Sequence, residues 1–473
     1  MASKPDTVGW PVGVAATALA ALAWWFASGV EPQWWLAWLA PLPVLWLAPR
    51  VGARWAALAG FAAYAAGGLN VWSYLHAAVG LPTLPVIGFI LVGGAMLALC
   101  VLLYRHLLLR GRTVAAVLSV PALWVACEYV ISLLSPHSTF FNIGYTQSDA
   151  LPVIQIAAVT GLWGIGFLVL LVPAAIAAQT WSPAPRRGRV IAGALAALAV
   201  IATVAYGGWR LQEPATSSLR IGLASLLGPM RSADSAEGQA LQSRYADAMG
   251  RLADAGAKIV LIPETSFGAQ DPTIPAFKQL AGLRGLIVAS GIDFKNAAQP
   301  ERNMLSVIQP GAQSPATYNK HHLLLGLEHY TPGDTYTMLD GSPRTGLAIC
   351  KDMDFHDTGH AYASRHTQLL LVPASDFNVD GWLHSRMAIM RGVESGFAIA
   401  RAARGGRLTL SDDRGRVVAE ASSEHRDAEL VGDLPLHDTS TLYGRWGDWF
   451  VYLVLVGLAA CLAMAVLPRR ARR

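Results

Sequence analysis

The sequence predicts an α/β domain inserted in a multi-span α-helical membrane domain. The chain of 473 residues is 53% hydrophobic and only 14% charged, and its mean hydropathy is +0.39, which is too apolar for an ordinary soluble enzyme. Apolar windows of about 20 residues, the length that crosses a bilayer, occur before residue 210 and after residue 447. Between them, short β-rich runs alternate with amphipathic stretches, a pattern typical of α/β domains.

The apolar windows predict eight membrane-spanning helices, seven in a membrane domain of residues 1–209 and one, followed by a basic tail, in residues 448–473. The first window is expected to be retained, because no small-residue cleavage site follows it and a second window begins almost at once. The predicted spans are 10–28, 34–49, 55–75, 85–104, 114–134, 152–178, 190–208 and 449–467.

Basic residues cluster in alternate loops, whereas the loops at 29–33, 75–83 and 135–151 contain no Lys or Arg. By the positive-inside rule, eight spans with both ends in the cytoplasm satisfy every cluster and place residues 210–447 on the exoplasmic side. The net charge of +5 is therefore a topology signal, and no nucleic-acid partner is predicted. The clustered residues are Lys4, Arg50, Arg54, Arg105, Arg110, Arg112, Arg186, Arg187, Arg189, Arg469, Arg470, Arg472 and Arg473.

Only one of the four cysteines lies in the 210–447 domain. Cys100, Cys127 and Cys461 fall inside predicted spans, which leaves Cys350 without a disulfide partner in an oxidising compartment. Such a thiol is a candidate reactive group. His321 and its neighbour His322 lack a second ligand pair at useful spacing, so neither a metal nor another cofactor is predicted.

The order of predicted elements in residues 210–447 defines the α/β domain. Helices are predicted at 237–255, 275–283 and 381–396. Strands are predicted at 219–223, 258–263, 285–292, 304–309, 345–349 and 368–372, followed by further strands to about residue 435.

Three reactive side chains stand at the ends of predicted strands in this domain: Glu264, Lys320 and Cys350. Taken singly they are ordinary, because a cysteine is commonly a core residue and a lone carboxylate or ammonium is commonly solvated. Together they form a nucleophilic site. The thiolate attacks a carbonyl, the carboxylate accepts the thiol proton and the ammonium stabilises the oxyanion.

A Glu, Lys and Cys in this order, each at a strand end, resembles the nitrilase (carbon-nitrogen hydrolase) superfamily across residues 219–436. The resemblance implies a nitrilase-like α-β-β-α sandwich with Glu264, Lys320 and Cys350 as catalytic residues. It also implies a supporting role for Glu328 in positioning the lysine or the base.

The run 372–377, with the helix after it, is similar to the active-site wall of that superfamily. The resemblance makes Asp376, Trp382 and His384 candidates for substrate binding. Arg391 and Glu394, on the same helix, are expected to be structural.

The whole chain resembles the apolipoprotein N-acyltransferases, the integral-membrane branch of the superfamily. The motifs outside the catalytic domain are 39–43, 144–147 with Tyr145 as a further substrate-binding candidate, 161–167, and 441–449 entering the last span. The resemblance implies a multi-pass protein of the bacterial inner membrane with a periplasmic catalytic domain. Cys350 would take an acyl chain from a phospholipid as a thioester and pass it to the N-terminal amine of a diacylglyceryl-cysteine on an apolipoprotein.

The chain departs from the family pattern directly after the nucleophile. Family members usually carry an aromatic residue and a glutamate there, whereas this chain has Lys351 and Asp352, which are candidate supporting residues. The alternatives are a membrane-tethered amidase or hydrolase, an acyltransferase with another amine acceptor, and a scaffold with a degenerate site. Glu128, an ionisable residue inside a predicted span, is expected to be paired or to face a polar cavity.

Overall fold

The computed structural model describes residues 8–468, so Lys4 and the predicted basic tail from Arg469 lie outside the described residues. The chain divides into two compact units. The helical unit contains residues up to 135, 139–209 and the chain from 448, and the sandwich unit contains 136–138 and 210–447. The short segment Pro136–Ser138 thus belongs with the sandwich, although it falls between two predicted spans.

Six helices of the described chain are long and apolar enough to cross a membrane. These six are Trp10–Ala27, Thr83–Leu109, Thr113–Leu134, Leu162–Gln179, Arg186–Arg210 and Trp449–Val466. The helices up to residue 210 are α1 (Trp10–Ala27), α2 (Leu42–Leu47), α3 (Ala53–Gly67), α4 (Thr83–Leu109), α5 (Thr113–Leu134), α6 (Leu151–Ile154), α7 (Ala157–Thr160), α8 (Leu162–Gln179) and α9 (Arg186–Arg210); those that follow are α10 (Ala236–Asp254), α11 (Pro275–Arg284), α12 (His356–Ala363), α13 (Gly381–Ser395), α14 (Leu442–Trp446) and α15 (Trp449–Val466).

The predicted spans 34–49 and 55–75 are not single long helices. The first is a 3-10 turn at Trp34–Trp38 followed by α2, because prolines at 41, 43 and 49 remove backbone donors. The second is α3, whose 15 residues extend about 22 Å at 1.5 Å per residue, short of the roughly 30 Å hydrocarbon core. The predicted span 152–178 also begins later, at Leu162, because Gly161 interrupts the helix at φ +66°.

Hydrogen bonds nevertheless gather the loops of the helical unit at two ends. At one end the segments near residues 50, 105, 112, 180 and 467 meet, and at the other those near 28, 38, 70, 147, 163 and 448 meet. Residues 38–51 and 51–70 therefore run from end to end although their helices are broken. The bonds are Arg105 Nε to Val51 O (3.1 Å), Arg50 Nη2 to Thr180 O (2.7 Å) and Arg112 Nη2 to Leu467 O (3.0 Å), then Trp38 Nε1 to Gln147 Oε1, Asn70 Nδ2 to Ser28 O and Trp163 Nε1 to Asp448 Oδ1 (each 2.8 Å).

Glu128 is paired, as expected for a carboxylate within a helix of the membrane unit. Its side chain accepts hydrogen bonds from the Ile143 amide (2.8 Å) and from Asn142 Nδ2 (2.9 Å). The Asn142 side chain in turn accepts from the Gly144 amide at 2.8 Å. Glu128 therefore fixes the start of the 3-10 turn at Ile143–Gln147.

Two sheets form the centre of the sandwich unit, one of eight strands and one of six. The strands are β1 (Ser217–Ser225), β2 (Arg231–Ser232), β3 (Ile259–Leu261), β4 (Phe267–Ala269), β5 (Ile287–Phe294), β6 (Arg302–Ile308), β7 (Ala316–Asn319), β8 (Met338–Leu339), β9 (Thr345–Leu347), β10 (Leu369–Ser375), β11 (Ala398–Arg404), β12 (Arg407–Ser411), β13 (Val417–Ser422) and β14 (Ala428–Leu436). The first sheet has the order β14-β1-β3-β5-β4-β2, with β6 on β5 and β7 on β6, and the second has the order β13-β12-β11-β10-β9-β8.

The layers follow from which side chains share a core. Leu261 of the first sheet and Leu371 of the second belong to one buried cluster, so the two sheets pack face to face. The outer face of the first sheet packs on α10 and α11 through Met249 and Phe277. The outer face of the second packs on α12 and α13 through residues that include Tyr362. The architecture is the predicted α-β-β-α sandwich.

Every predicted helix and strand of the 210–447 domain is confirmed to within a few residues. The prediction placed a strand end at Lys320 without giving bounds for β7, and it missed β2, β4, β8, α12 and α14. The strands among them have only two to four residues, which is too short to show an alternating pattern.

Candidate active site

Glu264 stands in a tight turn after β3. The backbone of Thr265 is left-handed at φ +44°, an uncommon conformation for a β-branched residue. Gly291 on the neighbouring strand allows this turn, because a Cβ there would lie 2.4 Å from the Glu264 Cα. The turn directs the carboxylate into the unit, where its side chain is only 4% exposed.

Lys320 lies between two carboxylates directly after β7. Its ammonium donates to Glu264 Oε1 at 2.8 Å and to Glu328 Oε1 at 2.9 Å. Burial by itself lowers the pKa of Lys320, but the Glu264 and Glu328 carboxylates outweigh burial and raise it, so the ammonium stays charged. An ammonium has three N–H groups, and the described residues occupy two of them.

Glu264 and Glu328 differ in whether one carboxylate oxygen lacks a hydrogen-bond donor. The second oxygen of Glu328 accepts from the Leu324 amide at 2.7 Å. Both hydrogen bonds that described residues make to Glu264 end on Oε1, from Lys320 and from Asn303. Glu264 Oε2 is therefore available as a proton acceptor, whereas both oxygens of Glu328 accept hydrogen bonds and Glu328 holds Lys320 in place.

Cys350 begins a short 3-10 turn, Cys350–Asp354, directly after the extended residue Ile349. Its φ of +44° places it in the left-handed region, at a cost of about 1–3 kcal/mol that the surrounding structure must offset. Burial and the Glu264 carboxylate raise the pKa of the thiol, opposed by Lys320. The resting group is thus a thiol, so nucleophilic attack requires a base.

Asp352, one of the two unusual residues after Cys350, has a clear structural role. Its buried carboxylate accepts five hydrogen bonds, and these join the Cys350 turn to the Lys320 segment. Its hydrogen bonds with His322 lower the pKa of Asp352 against the effect of burial. The donors are the Ile349 amide (2.9 Å), the His321 amide (3.2 Å), the His322 amide (2.9 Å), His322 Nδ1 (3.1 Å) and the Tyr318 hydroxyl (2.8 Å).

Lys351 points away from this network. Its ammonium lies 2.7 Å from Nδ1 of His137, in the segment Pro136–Ser138, and 4.0 Å from Asp354. Burial lowers the pKa of Lys351. Burial and the charge of Lys351 lower the pKa of His137 to about 4, so the imidazole is neutral near pH 7 and accepts from the ammonium. His137 was not predicted, since a lone histidine in a loop carries no pattern.

The remaining candidates on the active-site wall are held in ion pairs. Asp376 receives two hydrogen bonds from the buried Arg401, at 2.9 and 2.6 Å. His384 Nε2 lies 3.0 Å from Asp380. Arg391 pairs with Glu394, and both are buried, in keeping with a structural role.

Trp382 and Tyr145 are the two remaining candidates for substrate binding. Trp382 is largely buried, with the guanidinium of Arg386 5.6 Å from its ring centroid. Tyr145 belongs to the helical unit, is buried, and its hydroxyl is 2.7 Å from Thr139 Oγ1. Their roles in substrate binding stay predictions.

Asn303 is the residue of this site that the sequence did not indicate. Its side-chain amide donates to Glu264 Oε1 at 2.7 Å and to Glu328 Oε1 at 3.0 Å. It is the second residue of β6 and precedes an apolar run, so it resembles an ordinary polar strand end. Within residues 8–468, no group of three or more His, Cys, Asp and Glu side chains is arranged to hold a metal ion.

The arrangement supports acyl chemistry on a thiol. A thiol nucleophile, a carboxylate oxygen that can take its proton and an ammonium N–H that can meet an oxyanion are the three groups such a reaction needs. The comparisons with known proteins agree with this class. Residues 223–443 match the carbon-nitrogen hydrolase family.

Residues 14–175 match the apolipoprotein N-acyltransferase N-terminal domain. The chain is 26% identical to an apolipoprotein N-acyltransferase of Geobacter metallireducens, covering 93% of this chain and 92% of that protein. It is also 26% identical to one of Gloeobacter violaceus, covering 78% of this chain and 77% of that protein. Together the matches cover residues 14–175 and 223–443, so the chain carries both domains that the apolipoprotein N-acyltransferases have, and it is an acyltransferase.

A solved amidase from Nesterenkonia sp. is similar in structure, at 22% sequence identity and a TM-score of 0.42 over 50% of this chain and 96% of that one.

Proposed function

We propose that this protein transfers an acyl chain from a phospholipid, through a thioester on Cys350, to the N-terminal amine of a diacylglyceryl-cysteine on apolipoproteins. The observation that carries the proposal is a difference between the two carboxylates: Glu264 Oε2 has no donor among the described residues, whereas both oxygens of Glu328 accept hydrogen bonds. Burial and the Glu264 carboxylate favour the protonated thiol of Cys350, from which a base must take the proton. The family of the chain supports the choice of substrates.

In the first half-reaction the Cys350 sulfur attacks the ester carbonyl of the phospholipid while Glu264 Oε2 takes the thiol proton. The third N–H of Lys320 stabilises the oxyanion. The intermediate then collapses, the carbon–oxygen ester bond breaks, and Glu264 returns its proton to the departing lysophospholipid oxygen. A thioester remains on Cys350.

In the second half-reaction the neutral amine of the acceptor attacks the thioester carbonyl. Glu264 takes a proton from the attacking nitrogen, and Lys320 again stabilises the oxyanion. The carbon–sulfur bond breaks and Glu264 protonates the departing thiolate. The products are an amide and the starting enzyme, as in other two-step thiol acyl transfers.

A membrane location follows from the substrates and the six long apolar helices. We place the protein in the bacterial inner membrane with both chain ends cytoplasmic and the sandwich unit periplasmic. The gathering of the Arg-bearing loops at one end of the helical unit supports eight crossings, two of them broken. A reporter fused near Ala298 is expected to be periplasmic, and a cytoplasmic signal would overturn this orientation.

The decisive experiment incubates purified protein with a phospholipid labelled in its acyl chain and a diacylated lipopeptide. We expect labelled acyl-enzyme when the lipopeptide is omitted, and a triacylated product when it is added. Labelled free fatty acid with no triacylated product would show a hydrolase, one of the alternatives. The matched variant is Cys350→Ala, which should fold but form no acyl-enzyme; retained labelling would exclude Cys350 as the nucleophile.

A further inference from the structure

Asn303 contacts three residues of the proposed acyl-transfer site: Glu264, Glu328 and Lys320. Its side chain is buried and donates to both carboxylates, while its backbone carbonyl accepts from the Lys320 amide at 2.9 Å. A single residue thus contacts the proposed base, the residue that anchors the lysine and the lysine itself.

The orientation of the Asn303 side-chain amide follows from the groups around it. An ionised carboxylate only accepts hydrogen bonds, so the NH₂ end of the Asn303 amide must face Glu264 and Glu328. The two carboxylate oxygens that it contacts are also the two that Lys320 contacts. Two donors and two acceptors therefore form a closed arrangement, in which Glu264 Oε1 and Glu328 Oε1 each receive two hydrogen bonds.

This arrangement has two chemical consequences. The two carboxylates repel each other, and one ammonium alone would have to satisfy both of them. The neutral donor from Asn303 relieves that demand, so that Lys320 satisfies each carboxylate with a single N–H and keeps the third. The hydrogen bonds from Asn303 and Lys320 hold Glu264 by Oε1, so Oε2 is the oxygen that remains to accept a proton.

We propose that Asn303 is a positioning residue of the acyl-transfer site, which holds Glu264 by one oxygen and keeps one Lys320 N–H available for the oxyanion. The inference rests on the proposed function, because it concerns the formation of the Cys350 thioester. It assigns no contact with substrate to Asn303, which acts through Glu264 and Lys320.

Two variants of similar volume separate this role from simple packing. Asn303→Leu keeps the size but removes the donor. Asn303→Asp also keeps the size, but it donates a hydrogen bond only when its carboxyl is protonated. Each is expected to slow acyl-enzyme formation near pH 7.5 on the order of 10²-fold, the effect of a small misplacement of catalytic groups.

The signature is the pH dependence of each variant relative to the wild type. As the pH falls, the relative rate of Asn303→Asp should rise, because its protonated side chain regains a donor, while the relative rate of Asn303→Leu stays constant. The other titratable groups around this position are Glu264, Glu328, Lys320, Cys350, Asp293 on β5 and Tyr330, which contacts Asp293. Dividing the rate of each variant by the wild-type rate at the same pH removes the contribution of these groups.

The test is a single-turnover assay with acyl-labelled phospholipid in detergent, read as label on Cys350, with apparent melting temperatures for all variants. Asn296→Asp is the matched control, because Asn296 lies on an exposed loop and contacts Gln270. Wild-type rates in either variant, or equal losses with flat relative rates, would overturn the positioning role.

Failure of the proposed function would look different, since the wild type itself would then show no label on Cys350. If Asn303→Leu does not fold, Asn303→Asp decides the question alone, through the rise or constancy of its relative rate. If neither variant folds at neutral pH, refolding of Asn303→Asp at acidic pH with recovered labelling supports the donor role, and its absence contradicts it.

Discussion

Two buried polar networks of the candidate site, one around Lys320 and one around Asp352, differ in which hydrogen-bonding groups they leave without a partner. In the first, around Lys320, one carboxylate oxygen and one ammonium N–H have no partner among the described residues. In the second, around Asp352, both carboxylate oxygens are occupied by five donors. A donor or acceptor without a hydrogen-bond partner indicates a group that can react, whereas a carboxylate with donors on both oxygens indicates a group that holds the backbone.

The comparison also explains how the two networks depend on each other. Asp352 accepts from the amides of Ile349, His321 and His322, so it joins the residue before Cys350 to the residues after Lys320. The saturated network thereby sets the position of the reactive one. Variants should separate them, since changes in the first should affect rate and changes in the second should affect stability.

The largest effect is expected for Glu264→Gln. The amide oxygen can still accept from Lys320 and Asn303, but the NH₂ group that replaces Oε2 cannot take a proton. Acyl-enzyme formation should fall on the order of 10²-fold or more, with little change in the apparent melting temperature. A single-turnover label assay measures this, and Glu301→Gln, an exposed carboxylate paired with His329, is the control that should keep its rate.

Asp352→Asn should chiefly affect stability. One of the two oxygens becomes an NH₂ group, so at least two buried donors lose their acceptor, at about 1–3 kcal/mol each. The apparent melting temperature should drop by about 2–4 °C per kcal/mol for a domain of this size. Thermal unfolding in detergent measures it, beside Asp433→Asn at the exposed pair with Arg220. An unchanged melting temperature would contradict the structural role.

The saturated network should also respond to alkaline pH through His322. Burial lowers the pKa of His322, but hydrogen bonds to Asp352 and Asp357 outweigh it and raise the pKa to about 9. Because the folded-state pKa lies above the usual value of about 6.5, this stabilisation is complete below that value and is lost as the pH rises through about 9. The melting temperature of the wild type should therefore fall over this range more than that of His322→Gln, and parallel curves would contradict the prediction.

The smallest effect is expected for Lys351→Met. The Lys351 ammonium contacts His137 and not the Glu264–Lys320 network, so acyl-enzyme formation should stay within a few-fold of wild type. Loss of the nearby charge should raise the pKa of His137 from about 4. The pH dependence of His137 modification by diethyl pyrocarbonate, followed by mass spectrometry, measures the shift. A loss of rate as large as that of Glu264→Gln would instead place Lys351 in the chemistry.

The elements of the sandwich could be predicted because their patterns are local. The long amphipathic helix α10 and the apolar runs of β1, β5 and β10 carry their periodicity in consecutive residues. The broken spans could not be predicted as well, because hydropathy reports burial in lipid and does not report where prolines and glycines end a helix.

The sequence by itself determined which reactive groups the candidate site offers, a thiol, a carboxylate and an ammonium, and that the chain is apolar enough to cross a membrane; the roles of these groups stay predictions. Only the tertiary structure decided which carboxylate has an open oxygen, that Asp352 joins two segments, and that Asn303 contacts both carboxylates. The physical reason is that hydrogen-bond saturation depends on residues distant in sequence. Asn303 and Glu264, 39 positions apart, have a 2.7 Å hydrogen bond that no local pattern records.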